Sequence, residues 1–151
     1  MDESQDQSMV EVVLGRIVIR DDSERQYIFL REKNGERGFP IVIGTSEAHE
    51  IQRVVSRTEN ERPLTHQLAF SMVEGLGAEI KRCDVTDLRK NTFYAQLVLQ
   101  TASGETTSVI DARPSDAIAL ALRAQCPIRV AESVLEEVRT DDSGPDPLPD
   151  S

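Results

Sequence analysis

The sequence predicts an α+β domain in which two β-β-β-α units pack around a largely antiparallel sheet. Three observations carry this. Residues Tyr27 to Val55 align without a gap on Gln96 to Ala124 at an offset of 69, which sets Leu30 on Leu99, Gly35-Glu36 on Gly104-Glu105, Ile41 on Ile110, Ser46 on Ser115 and Ala48 on Ala117. Each copy reads as an apolar strand, a Gly-containing turn, a second apolar strand and a helix opened by Ser-acid-Ala, with Glu47 falling on Asp116. The turns Asn34-Gly35 and Ser103-Gly104 are hairpin chemistry, which joins antiparallel neighbours.

Taken in order, Val10 to Arg20 is rich in β-branched residues and reads as a strand, with Gly15 as a bulge or bend. Tyr27 to Arg31 and Phe39 to Ile43 give the second and third strands. Ser46 is the expected cap of a helix through about Val55, with Ile51, Val54 and Val55 on one face. Thr65 is the expected cap of the next helix, where Leu68, Met72, Val73 and Leu76 recur at helical spacing until Gly75-Leu76-Gly77 ends it. Ile80 to Val85, Thr92 to Leu99 and Thr107 to Asp111 form the second set of strands. Ser115 to Ala124 is apolar on nearly every side, so this helix is expected to be buried all round. Pro127 to Val130 reads as a short strand, and Ser133 with Glu136 as the capping box of a last helix through Arg139.

The length of 151 residues suits one domain whose halves share a core. The expected domain is 10–139, with repeats at about 10–55 and 78–124. The formal net charge of −10 sits largely at the ends: residues 1–9 carry three acids and no base, and 140–151 carry four acids and no base. Both ends have the composition of disordered tails. The interior is near charge balance, so no broad basic nucleic-acid surface is expected, and a nucleic-acid partner would need a local basic patch or a bridging metal. No run approaches the roughly 20 apolar residues that span a bilayer, so no membrane partner is expected. MDESQDQS lacks the pattern of a secretory or transit signal. Cys83 and Cys126 read as buried free thiols of a cytoplasmic protein.

The densest polar constellation is Asp111-Ala-Arg-Pro-Ser-Asp116, which ends a strand and opens a helix. Backbone N–H groups at a helix start favour negative charge, so acids there can simply complement the dipole with Arg113 as counter-ion. That structural reading must still account for Asp111 and Arg113 beside a very apolar helix. Pro114 drives Arg113 towards an extended backbone. Functionally, Asp111 and Asp116 could hold a hard cation such as Mg²⁺ or Mn²⁺, and Arg113 could grip a phosphate or carboxylate with two hydrogen bonds. Glu47 gains weight because it occupies the place of Asp116 in the first copy. Arg62-Pro63-Leu64-Thr65-His66 adds a histidine, the side chain best suited to moving protons near neutrality, behind a proline-shaped loop.

The stretch from Val10 to about Val138 resembles the bifunctional nuclease family. The resemblance rests on Phe39-Pro-Ile-Val-Ile-Gly44 followed by Glu47-Ala48, on Arg62-Pro63-x-Thr65-His66, on Leu76-Gly77-Ala78, on Thr92-Phe93-Tyr94-Ala95, and above all on Asp111-Ala-Arg-Pro-Ser-Asp-Ala-Ile-Ala-Leu120. It implies an α+β fold, self-association into a homo-oligomer, and nuclease activity on DNA, RNA or both. Read from the residues' own chemistry, the enzyme would use Asp111, Asp116 and Glu47 to hold a divalent ion, His66 as general acid or base, Arg113 to stabilise developing charge, and Arg62 and Ser115 to help bind substrate. The alternatives are a non-catalytic module that grips an anionic ligand or nucleotide in the same pocket, and a structural network at a subunit interface.

Overall fold

The computed structural model describes residues 8–105 and 107–140. Along the chain run β1 (Met9–Val18), β2 (Arg25–Glu32), β3 (Gly38–Gly44), α1 (Thr45–Ser56), α2 (Thr65–Gly75), β4 (Ala78–Arg89), β5 (Thr92–Thr101), β6 (Thr107–Ala112), α3 (Pro114–Ala124), β7 (Ile128–Ala131) and α4 (Glu132–Val138). The strands form a seven-stranded sheet in the order β3-β2-β1-β7-β4-β5-β6, antiparallel throughout except where β4 meets β7. The fold is therefore α+β, as expected. The offset of 69 carries β2 onto β5, β3 onto β6 and α1 onto α3 within a residue or two. The shortest strand, β7, lies at the centre and joins the two three-stranded meanders, hydrogen-bonding to β1 on one side and β4 on the other.

Local chemistry sets the details. The register of β1 against β2 slips between Leu14 and Arg16, the bulge expected at Gly15. A Cβ there would stand 3.2 Å from the Phe29 carbonyl oxygen, so the backbones approach closely only because the residue is glycine. Strand β4 runs four residues beyond the expected Val85, through Thr86-Asp87-Leu88-Arg89, to a tight hairpin at Lys90-Asn91. Both turn residues have positive φ, 51° and 65°. Their mirror-image turn matches the twist of the flanking strands.

The core lies on one face of the sheet. Ile28, Leu30, Val85, Leu97 and Val130 pack with Ile51, Ile118 and Leu135 of the helices. No residue of α3 is exposed, but only Ser115, Ala117, Ile118, Ala119 and Ala121 are buried and the others are half-buried, so the helix is less fully enclosed than its sequence predicts. The helix starts differ from expectation. The capping positions are Gly44, Leu64, Arg113 and Ala131, with no side-chain cap bond at Gly44, Arg113 or Ala131. Ser46, Thr65, Ser115 and Ser133 sit inside the first turns. The physical reason is that α1, α3 and α4 follow directly on a strand or one residue after it. The extended backbone of the strand end supplies the N-cap geometry, and Pro114 takes the first helical position, which its fixed φ favours. At α2 the Gln67 side chain accepts the Leu64 N–H at 3.0 Å.

Of the expected acidic tails, residues 1–7 and 141–151 lie outside the described residues. Met9 opens β1, and Thr140 makes a two-bond bridge to Gly38 at the free edge of β3. Arg37 fastens this corner by bonding Glu32 on β2 together with Glu132 and Glu136 on α4.

Candidate functional site

Residues from three helix starts meet at the Arg113–Asp116 pair. Pro114 holds Arg113 extended, at φ −65 and ψ 145. From there its guanidinium takes Asp116 with two hydrogen bonds, Nε to Oδ2 at 2.9 Å and Nη2 to Oδ1 at 3.1 Å. The same Nη2 donates to Glu47 Oε2, in the first turn of α1, at 3.1 Å. His66, the second residue of α2, places Nε2 2.8 Å from Asp116 Oδ1. Gly44 makes the Glu47 position available, because any side chain there would strike the Glu47 carboxylate. The cluster is open to solvent on one side: the Arg113 side chain is 63% exposed, against 29% for Asp116 and 20% for His66.

The electrostatics follow from these contacts. Burial alone would raise the Asp116 carboxyl, but the hydrogen bonds from Arg113 and His66 outweigh it and hold it below the ordinary aspartate value. The Arg113 guanidinium is held above its ordinary value, chiefly by the Asp116 hydrogen bond. Asp116 is therefore ionised at neutral pH and can only accept hydrogen bonds. The neutral imidazole of His66 must then carry its proton on Nε2, leaving the lone pair on Nδ1. Nδ1 makes no hydrogen bond among the described residues, and neither does Arg113 Nη1.

The expected site residues divide. Glu47, His66, Arg113 and Asp116 converge. Asp111 does not: it is exposed on β6, opposite Gln96, and makes no hydrogen bond or ion pair among the described residues. Successive strand residues face opposite sides. Ala112 packs against the helix-side core, so Asp111 points to the other face. Arg62 is exposed and has no ion-pair partner among the described residues, while Ser115 is buried and lines a cleft of about 500 Å³ beside Arg113. The carboxylates of Asp111, Asp116 and Glu47 thus fail to close around one point, and Arg113 lies between the latter two. Among the described residues, no group of three His, Cys, Asp or Glu side chains is placed to hold a metal ion.

The sequence reading missed Glu50. It is 2% exposed and held between Arg53 on its own helix, at 3.0 Å, and Arg123 on α3, at 2.9 Å. This pair ties α1 to α3 behind the Arg113–Glu47 link, so the two helices keep their starts together. Its only sequence signal is a place one helical turn after Glu47. A second cleft, of about 400 Å³, runs from Glu47 and Glu50 to His66 and is lined also by Pro63 and Leu64. The thiols lie elsewhere. Cys83 is buried and Cys126 only half-buried, and burial pushes the Cys126 thiol up to about 11.

An antiparallel-rich α+β domain with this Arg-Asp-His cluster at its helix starts defines the class, and comparison with known proteins gives the family. The model of the bifunctional nuclease domain matches residues 28–143, and the chain belongs to that family. It is 39% identical over 129 residues to an uncharacterised protein of Mycobacterium tuberculosis (strain ATCC 25618 / H37Rv), covering 85% of this chain and 76% of that protein. It is 28% identical over 118 residues to bifunctional nuclease 2 of Oryza sativa subsp. japonica, covering 77% of this chain and 36% of the plant protein. With bifunctional nuclease 1 of Arabidopsis thaliana it shares 30% identity over 92 residues, 60% of this chain and 28% of the relative. The match thus spans about a third of each plant protein. Among the described residues, no helix is long and apolar enough to cross a membrane.

Proposed function

We propose that the protein hydrolyses phosphodiester bonds in DNA or RNA at the Arg113–Asp116–His66 cluster. The observation that carries this reading is the 2.8 Å contact between His66 Nε2 and Asp116 Oδ1, made beside an exposed arginine. Asp116 fixes the tautomer and orientation of the imidazole, and His66 Nδ1 takes a proton from an attacking water. The water oxygen bonds to phosphorus as the bond from phosphorus to the leaving sugar oxygen breaks. Asp116 stabilises the imidazolium, which returns its proton to the departing oxygen directly or through water. Arg113 Nη1 and the amides of three helix starts favour the negative charge that builds on the phosphoryl oxygens. The family membership and the plant bifunctional nucleases support phosphodiesters as the substrate class.

A second reading has its own observation. The two-toothed grip of Arg113 is directed at Asp116 inside the chain, with Glu47 as its third contact. A purely structural clasp between α1 and α3 would look the same.

The two readings separate on activity. Purified protein should cleave single-stranded RNA or DNA, and His66→Gln should lower the rate by about 100-fold or more while leaving the thermal melt unchanged. Activity that survives EDTA supports the His66 route. Loss on EDTA, restored by Mg²⁺ or Mn²⁺, would return the divalent-ion role expected from the sequence. No cleavage by the wild type, or none lost in His66→Gln, would sink the catalytic reading.

A further inference from the structure

The cleft of about 500 Å³ beside Arg113 is walled by two strand edges. One is β3 from Pro40 to Gly44. Beyond the bridge from Gly38 to Thr140, this edge of the sheet has no partner strand among the described residues. The other is Asn91-Thr92-Phe93, where β5 begins; β6 leaves it uncovered, because their pairing ends at Ala95 and Ala112. Both walls therefore present unpaired backbone N–H and C=O groups. Ile41, Ile43 and Phe93 give the space between them an apolar character. At one end stand Arg113, Ser115 and Arg25, the last set opposite Gly44 by strand pairing. Ser115 is 7% exposed, yet its hydroxyl makes no hydrogen bond among the described residues. A buried hydroxyl without a partner is costly, and an acceptor brought by a ligand would complete it. The start of α3 carries no side-chain cap, so the first-turn amides beside that hydroxyl also favour an outside acceptor.

We propose that this cleft is a base-binding subsite: it takes the nucleoside attached to the scissile phosphate, with the base between the β3 and β5 edges. The phosphate oxygens then meet the Ser115 hydroxyl, the first amides of α3 and Arg113 Nη1. The inference rests on the nuclease reading above and adds what the enzyme recognises besides the phosphate. A flat ring with donors and acceptors around its rim suits such a cleft, since its faces meet apolar side chains and its edges meet unpaired backbone. The volume falls within the roughly 300–1,000 Å³ of small-molecule sites. Phosphate alone would bind poorly here. Asp116 and Glu47 already take three hydrogen bonds from Arg113, and Glu24 lines the cleft next to Arg25. The base must therefore supply most of the affinity. Only an unstacked base can enter, so single strands are cut and paired strands resist.

NMR titration of the full chain with the four ribonucleoside monophosphates, and with inorganic phosphate as the control, tests the subsite without any turnover. The expected result is that the backbone amides of Val42, Phe93 and Ser115 shift with at least one nucleotide, at a Kd about tenfold or more below that of phosphate. Phe93→Ala should weaken nucleotide binding by about tenfold and leave phosphate binding unchanged, whereas Ser115→Ala should weaken both. Phe93 packs against Phe39, with ring centroids 5.6 Å apart, so its variant could melt early. In that case Val42→Glu, at a position 43% exposed, carries the test by setting a charge in the apolar wall. Phosphate bound as tightly as every nucleotide, shifts confined to other faces, or full affinity in both wall variants would overturn the proposal. Cleavage separates it from the reading on which it rests. Single-stranded DNA carrying abasic sites should be cut with a kcat/KM about tenfold or more below that of the intact strand. Equal cleavage of the two would overturn the subsite and keep the nuclease. No cleavage of either, with a nucleotide still bound in the cleft, would sink the nuclease and keep the subsite.

Discussion

At the scale of the residue, Asp116 is the point on which the site turns, because it is bonded by both Arg113 and His66. Its folded value lies below the ordinary one, so the stability it contributes is fully present above about pH 4 and is lost as pH falls through the lowered folded value. Arg113→Lys keeps a positive charge but loses the planar fork, so position 113 offers Asp116 one contact where the guanidinium made two. The variant should be less stable than wild type above about pH 4, by under ~1 kcal/mol given the exposure of Arg113, and equal to it at the lowest pH. Urea melts from acid to neutral pH check this. Superimposable stability curves would show that Arg113 does not set the charge of Asp116. The planar fork read from the sequence is present, but it holds Asp116, and Nη1 makes no hydrogen bond among the described residues.

Among the elements, α3 fixes the geometry, since its first turn supplies Arg113 and Asp116 and its middle lies in the core. Ile118 is fully buried there, two residues after Asp116. Ile118→Ala removes three methyl or methylene carbons and leaves a cavity, which should cost about 2–5 kcal/mol in chemical denaturation. A loss below about 1 kcal/mol would mean that α3 can collapse onto the sheet and is a poor anchor for the site. The elements were the most legible level. Helix α3 was readable from its unbroken apolar run, and the β2–β3 and β5–β6 hairpins from their glycine turns. The end of β4 was not, because Thr86-Asp87-Leu88-Arg89 is mostly polar and its strand pairing is set by β5. The capping residues were misplaced for a related reason: strands feeding directly into α1, α3 and α4 supply the extended geometry that an isolated helix takes from a serine.

For the whole molecule, long-range assembly decided what the sequence could reveal. The internal alignment singled out Glu47 and Asp116, and both reach the site because each opens the helix that follows a meander. His66 lies 50 residues from Asp116, so no local spacing announces their contact. Asp111 looked equivalent to Asp116 in sequence, yet strand alternation sends it to the far face of the sheet. Glu50 became visible only once α1 and α3 were packed, because its second partner, Arg123, comes from the other half. The central place of β7 was equally hidden, since four residues carry no signal of which strands they join. These placements make the cluster a product of tertiary packing, and one substitution tests whether it is also a catalytic centre. Asp116→Asn keeps size and shape, but its amide can donate to His66 Nε2 and stabilise the wrong tautomer. The measurement is kcat for cleavage of single-stranded nucleic acid by wild type and Asp116→Asn, with melts recorded on both. A fall of about 100-fold or more, with the melting temperature within a few degrees, is the predicted result. Undiminished turnover in a folded Asp116→Asn protein would contradict the account.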